Sequence, residues 1–112
     1  MLRLAAAIAV LAFAATSATA QDGAQLFNMQ CKMCHAGSPM GPVLTGVAGG
    51  DIAAKSFAYS AALKNKEGKW TDANLDAYLK APAAFAPGTK MLISVPNDAN
   101  RAAIITYLKT LK

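Results

Sequence analysis

The chain has 112 residues, with 11 lysines and arginines against 6 aspartates and glutamates, so its formal net charge is +5. This length favours a single domain and leaves no room for a separate catalytic module. The positive charge would suit a nucleic acid, an anionic membrane surface or an acidic protein, but the sequence has no cluster of aromatic and basic residues of the kind that binds nucleic acids. We therefore expect an acidic protein partner and no nucleic-acid partner.

Residues 1–20 have the pattern of a secretory signal peptide. Arg3 is followed by an unbroken apolar run over residues 4–15, and Ala18-Thr19-Ala20 has the small-x-small pattern of a cleavage site. The apolar run is shorter than the ~20 residues that a membrane-spanning helix needs, and a retained membrane anchor is the alternative. We predict cleavage after Ala20, a mature domain over residues 21–112, a periplasmic location and no stable membrane insertion after cleavage.

The mature chain, at about ninety residues and rich in alanine, can build only a modest hydrophobic core. Small exported proteins often compensate with disulfides, but the only two cysteines are Cys31 and Cys34. The loop that a bond between them would close is too small to stabilise a fold. A buried cofactor is the remaining candidate for filling the interior.

The mature chain begins with a helical pattern that leads to the two cysteines. Asp22 followed by Gln25 resembles a helix N-terminal capping box, and apolar residues continue from there at helical spacing towards Cys34. Residues 36–50 are rich in glycine, proline and serine and are typical of an irregular loop. The first helix is therefore expected to deliver the cysteines at its C-terminal end.

Further helices are predicted near residues 52–57, near residues 60–65 and after Thr71, which can cap a helix. The helix after Thr71 must end where Pro82 removes a backbone donor and forces its predecessor out of the helical region. Residues 83–96 contain two prolines and one glycine, and their apolar residues show no helical period, so they are predicted to form a second long loop.

Asn97 can cap a final helix with one apolar stripe, which comprises Arg101, Ile104, Ile105, Leu108 and Leu111. No segment shows the alternating pattern of a strand. The sequence therefore predicts an all-α fold of about four to five helices joined by long loops. Loops of this length inside a small domain usually serve a function.

The pentapeptide Cys31-Lys32-Met33-Cys34-His35 is typical of covalent haem attachment. Two thiols at this spacing can reach both vinyl groups of a haem from one helical turn, and the imidazole that follows can bind the iron. His35 is the only histidine of the chain, so no other imidazole can serve as this ligand. We predict one haem c, bound through Cys31 and Cys34.

Three alternatives for this motif are a thioredoxin-like redox pair, a structural disulfide and half of a zinc site. A thioredoxin-like pair should follow a strand in a βαβ unit, whereas the neighbourhood of Cys31 is helical. A closed zinc site needs four protein ligands, and the motif supplies three.

A six-coordinate iron needs a second axial ligand, for which the mature chain offers four methionines. Met29 and Met33 lie on the attachment helix, and Met40 is only five residues beyond His35, too close to pass easily around a porphyrin. Met91 lies far along the chain in a proline-bounded loop. A lone methionine more often fills a core, but this position predicts Met91 as the second ligand.

At these residues the chain resembles the class I cytochrome c family, and the resemblance covers nearly all of the mature sequence. It is similar in particular to the compact bacterial members, because the loop after His35 is shorter than in mitochondrial members. The matching residues, in chain order, are Cys31, Cys34, His35, Gly41, Pro42, Tyr59, Trp70, Tyr78, Leu79, Pro82, Pro87, Gly88, Thr89, Lys90, Met91 and Tyr107.

The resemblance implies roles for several residues around the haem. The carbonyl of Pro42 would accept a hydrogen bond from His35 and fix the orientation of the imidazole. Tyr59 and Trp70 would hydrogen-bond a haem propionate, and Tyr78 and Thr89 would line the Met91 side. The plainer alternative for the aromatic residues is packing in a small core, and for Pro42 a turn.

The resemblance also implies a contact between the first and last helices, formed by Gly23, Phe27 and Tyr107. Gly50 stands where many members carry an arginine near a propionate. Ala83 and Ala84 stand where mitochondrial members carry docking lysines. The basic docking surface would then have to come from Lys32, Lys64, Lys66 and Lys90.

With both axial positions filled, the iron has no open site for a substrate, so we expect a one-electron carrier and no enzyme. The sequence predicts a soluble, monomeric shuttle that cycles between Fe(III) and Fe(II) and docks on acidic redox proteins, such as an oxidase, a reductase or a dehydrogenase. The alternative is a haem c electron-transfer subunit bound permanently to an exported dehydrogenase.

Overall fold

In the computed structural model, which describes residues 22–112, polar side chains begin each of the longer helices. The predicted caps Asp22, Thr71 and Asn97 each accept a hydrogen bond from a first-turn N–H group, at 3.1, 3.1 and 2.9 Å respectively. Ser60 Oγ accepts from Leu63 N at 3.3 Å. Each bond satisfies a donor that has no partner inside its helix.

The described residues form helices and no strand beyond one isolated bridge between Asp51 and Lys69. The predicted all-α fold is confirmed. The helices are α1 Gly23–Gln30, α2 Lys32–His35, α3 Ala61–Lys64, α4 Asp72–Lys80, α5 Pro82–Phe85 and α6 Asp98–Leu108. None of the helices within residues 22–112 is long and apolar enough to cross a bilayer. The predicted signal peptide lies outside the described residues.

Six helices form within residues 22–112, where four to five were predicted, because two boundaries differ. The first helix is divided at Cys31, whose φ of −114° separates α1 from α2. Pro82, which ends α4 as predicted, also begins α5, because its fixed φ suits the first position of a helix. The prediction that residues 83–96 are loop throughout was therefore wrong for the first three of them.

The helix predicted near residues 52–57 was also wrong. Ile52 donates its backbone N–H to the Gly68 carbonyl at 3.0 Å, a partner from a different part of the chain. Ala53 next to it has a φ of 59°, in the left-handed region that a right-handed helix excludes. The neighbouring prediction near residues 60–65 is confirmed by α3.

The first and last helices cross at Gly23, as the resemblance implied. An added Cβ at Gly23 would lie 2.1 Å from the Ala103 carbonyl oxygen of α6, so only glycine allows this approach. About one turn further along α1, the rings of Phe27 and Tyr107 pack with centroids 5.2 Å apart. α4 packs against α5 and α6.

Candidate functional site

The helices and the two long loops surround a cleft of about 240 Å³ with mainly apolar walls. It is lined by all nine residues that the sequence analysis named for the site: Cys31, Cys34, His35, Pro42, Tyr59, Trp70, Tyr78, Thr89 and Met91. These residues span most of the described chain, so the fold brings together side chains that are far apart in sequence.

The two cysteines reach the cleft from the junction of α1 and α2. Backbone hydrogen bonds from Cys34 N and His35 N to the Cys31 carbonyl, at 3.2 and 3.0 Å, hold the motif in one helical turn. Both cysteines are half-buried. Burial, and to a smaller extent the nearby Cys34, raises the pKa of the Cys31 thiol to about 11.

This junction differs from the surroundings that the alternative readings of the motif require. The motif follows α1, with Cys31 at the junction and residues 32–35 forming α2, whereas a thioredoxin-like pair follows a strand. In the part of the chain that the structure describes, no three His, Cys, Asp or Glu side chains are grouped so that they share a possible metal site.

His35 is oriented by the loop that follows it. Its Nδ1 lies 2.8 Å from the Pro42 carbonyl oxygen, which confirms the hydrogen bond implied by the resemblance. Because a carbonyl only accepts, Nδ1 carries the proton and the lone pair is on Nε2. An added Cβ at Gly41 would lie 3.0 Å from two atoms of the imidazole, so glycine at this position gives the ring its space.

Met91 belongs to a segment whose first half is anchored to α4. The hydroxyl groups of Tyr78 and Thr89 are 2.6 Å apart, and Met91 N donates to the Thr89 Oγ1 at 3.4 Å. Burial raises the pKa of Tyr78, although its bond with Thr89 acts in the opposite direction. Lys90, the residue before Met91, donates from Nζ to the Ala58 carbonyl at 2.7 Å.

The aromatic residues of the cleft form two groups. Trp70 is buried and packs against the rings of Tyr78 and Phe85, at centroid distances of 5.2 and 5.6 Å. The Tyr59 hydroxyl accepts the Lys55 backbone N–H at 3.1 Å, which leaves its own proton free to donate. Burial raises the pKa of Tyr59 and the bond from Lys55 lowers it, so the phenol is protonated at neutral pH.

The lysines expected to form a basic surface differ in exposure and in how their side chains are held. Lys32 and Lys64 are exposed. Lys66 is half-buried, lies 4.2 Å from the centre of the Phe85 ring and donates to the Phe85 carbonyl at 2.6 Å. Lys66 therefore connects α5 to the loop before Trp70 in addition to carrying charge.

The sequence analysis missed several residues of the cleft wall. Lys55, in the segment wrongly predicted to be helical, gave no signal. Other apolar residues of the wall come from α3, α4, α6 and the loops, and nothing in the sequence showed which cavity they face. These missed apolar residues are Leu44, Val47, Leu63, Leu75, Leu79, Val95, Ile104 and Leu108.

The chemistry of these residues fits a covalently bound haem. The macrocycle needs apolar walls, which dominate the lining of the cleft. Attachment needs two thiols, and the iron needs neutral donors such as an imidazole lone pair and a thioether sulfur. The propionates need hydroxyl or N–H donors at the polar side, which Tyr59 and Trp70 can provide.

Comparison with known proteins gives the same assignment. The Cytochrome c family model matches residues 20–112. The chain is 45% identical over 97 residues to a cytochrome c-type cyt cy of Rhodobacter capsulatus, covering 82% of this chain and 49% of that protein, so it spans about half the length of this relative. It is 39% identical over 112 residues to cytochrome c2 of Rhodomicrobium vannielii, covering 91% of this chain and 89% of that protein.

The fold also matches that of a solved relative. Cytochrome cH from Methylobacterium extorquens superposes with a TM-score of 0.73 and 34% sequence identity, covering 81% of this chain and 97% of the solved chain. Family, sequence relatives and fold agree with the motif of Cys31, Cys34 and His35. The chain therefore belongs to the class I cytochrome c family: it is an electron carrier with one covalently bound haem c.

Proposed function

We propose that this chain shuttles single electrons in the periplasm, with its haem bound through Cys31 and Cys34 and its iron ligated by His35 and Met91. The observation that carries this proposal is that both thiols, the oriented imidazole and the Met91 side chain line one mainly apolar cleft. The bound iron supplies the redox chemistry, by accepting and releasing one electron.

The two axial residues have distinct tasks in this proposal. Pro42 holds the Nδ1 proton of His35, which keeps the Nε2 lone pair available and makes the imidazole a stronger donor. The Met91 thioether is a neutral, soft donor that favours Fe(II), and apolar walls penalise the extra charge of Fe(III). Together these residues favour a positive reduction potential and a carrier that has no enzymatic activity.

The charge of the chain supports docking on an acidic partner. Lys32, between the two cysteines, and Lys64 are exposed and free to steer an encounter. Lys66 and Lys90 are held to backbone carbonyls, so they add positive potential without being mobile. We expect a monomer that meets an oxidase, reductase or dehydrogenase of the respiratory chain in short-lived encounters.

The proposed location depends on residues 1–20. Their charged start, apolar run and Ala18-Thr19-Ala20 site support export, cleavage after Ala20 and a mature chain over residues 21–112. The mass of the purified protein, determined by mass spectrometry, tests this directly: it should equal residues 21–112 plus one haem.

Absorption spectra with a redox titration test the cofactor and its ligation together. The protein purified from a haem-competent host should be coloured, should keep its haem after denaturing extraction, and should titrate reversibly as a single one-electron centre. The double variant Cys31→Ala/Cys34→Ala is the control and should lose covalent haem. A colourless wild-type protein with two free thiols would contradict the proposal.

The ionic-strength dependence of the reaction rate separates a diffusible shuttle from a permanently bound dehydrogenase subunit. The Debye length shrinks from about 10 Å at 0.1 M salt to about 3 Å at 1 M, so steering by lysines should weaken steeply. We expect Lys32→Gln to reduce this salt dependence, and Lys112→Gln, at the end of the chain, to change it little. Stable co-purification with a catalytic subunit would instead support the bound form.

A further inference from the structure

Arg101, on α6, is a buried charged residue that the proposed electron transfer does not use. Its side chain is 3% exposed. All three guanidinium nitrogens donate: Nε donates to Asp76 Oδ1 at 2.8 Å, and Nη2 donates to the carboxylate of Asp98. Nη1 donates to two backbone carbonyls, those of Val95 at 3.0 Å and Pro96 at 2.9 Å.

These two carbonyls end the segment that starts at Met91. Val95 is also fixed from its other side, because its N–H donates to the Leu79 carbonyl of α4 at 2.8 Å. Its side chain is buried and lines the cleft. Val95 and Pro96 are therefore fixed between α4 and α6, and the hydrogen bonds from Arg101 provide the contact with α6.

The three residues between Met91 and Val95 are not fixed by hydrogen bonds in the described part of the chain, although Leu92 and Ile93 line the cleft. Leu92, Ile93 and Ser94 are exposed, and within residues 22–112 none of them makes a hydrogen bond. Adjacent Cα atoms are ~3.8 Å apart, so a shift of Val95 passes along a short free segment to Met91. On the other side of Met91, the position is fixed by Thr89 and Lys90.

We propose that Arg101 is a positioning residue that keeps the Met91 sulfur in place by fastening the Val95 and Pro96 carbonyls to α6. The proposal rests on the proposed ligation of the iron by Met91. Asp76 aims the guanidinium, and the planar fork of arginine allows one nitrogen to serve both carbonyls. Without the fork, these carbonyls lose their donor and turn towards water, and the Met91 segment loosens.

Imidazole binding to the oxidised holoprotein tests this inference. At saturating imidazole, the observed rate is limited by departure of the Met91 sulfur from the iron. Arg101→Lys keeps the positive charge but loses the planar guanidinium group, and should raise this limiting rate at least about tenfold. Asp98→Asn should change the rate little, because the Asp98 side chain is 87% exposed and contacts only Nη2.

A control for general destabilisation is Phe27→Leu, at the crossing of α1 and α6 and outside the cleft lining. It should lower the free energy of unfolding and leave the limiting rate unchanged. The inference is overturned if Arg101→Lys binds imidazole at the wild-type rate, or if Phe27→Leu accelerates binding equally. If Arg101→Lys fails to fold, Asp76→Ala replaces it, with acceleration expected and a wild-type rate overturning the inference.

The wild-type spectrum separates this inference from the proposed ligation. A weak far-red band in the oxidised protein reports the bond between sulfur and ferric iron. If the wild-type protein lacks this band, Met91 is not a ligand and both proposals fall. If the band is present and Arg101→Lys leaves the limiting rate unchanged, only the role of Arg101 is wrong.

Discussion

Replacing Met91 by alanine is expected to abolish the far-red band of the oxidised protein and to lower its reduction potential. Alanine has no donor atom, so the iron loses the soft sulfur that favours Fe(II). Axial ligands tune the reduction potential of haem proteins over roughly 0.8 V. Exchange of the thioether for water or another hard ligand should lower the potential by a substantial part of that range. A spectroscopic redox titration of the variant beside the wild type measures both effects.

Met40→Ala is the matched control for this experiment. Met40 also lines the cleft, but the residue is 68% exposed and lies only five residues after His35. Its replacement should leave the far-red band in place and the potential nearly unchanged. If Met40→Ala loses the band while Met91→Ala retains it, the second ligand has been misassigned, although the attachment through Cys31 and Cys34 would be unaffected.

Replacing Phe27 by alanine should cost about 3–5 kcal/mol of the free energy of unfolding, the usual loss for a buried aromatic side chain. Phe27 is buried, and its ring packs against Tyr107 where α1 crosses α6. Its loss leaves a cavity at a crossing that Gly23 and Ala103 hold too closely to collapse freely. For a small domain this is a large share of the total stability. Denaturant unfolding of the holoprotein, followed by circular dichroism, measures it.

Asn28→Ala provides the comparison for Phe27→Ala. Asn28 is the next residue of α1 and is exposed, so its replacement should change the free energy of unfolding by no more than about 0.5 kcal/mol. Phe27 does not line the cleft, so both variants should retain the wild-type far-red band. A loss of less than about 1 kcal/mol in the free energy of unfolding for Phe27→Ala would contradict this prediction, because it lies below the usual range for such substitutions. It would show that the crossing relaxes around the cavity.

The parts of the fold that the sequence predicted are those determined locally. Asp22, Thr71 and Asn97 cap helices because each side chain reaches an N–H group two or three residues away. The motif from Cys31 to His35 is likewise contained in one helical turn. Met91 was predicted from its position in a proline-bounded loop far from the motif. The other distant residues of the cleft were predicted through the resemblance, since their spacing alone does not place them in a common site.

The incorrect parts depend on partners that are distant in sequence. Residues near Ile52 were predicted to be helical, but the Ile52 N–H pairs with Gly68 instead. Arg101 fitted the apolar stripe of α6 by position, and periodicity does not reveal that its guanidinium binds Asp76, 25 residues earlier. Lys66 was expected to contribute surface charge, whereas its hydrogen-bond acceptor on Phe85 lies 19 residues further along.

The close approach of Gly23 to Ala103 has a consequence for the whole chain. It joins the beginning and the end of the described residues, so every loop and helix between them belongs to one closed ring of polypeptide. Small exported proteins commonly close such rings with disulfides, and closing a long ring restricts the chain between its ends. Here a backbone contact takes the place of a cross-link, which leaves both cysteine thiols of the chain available for other bonds.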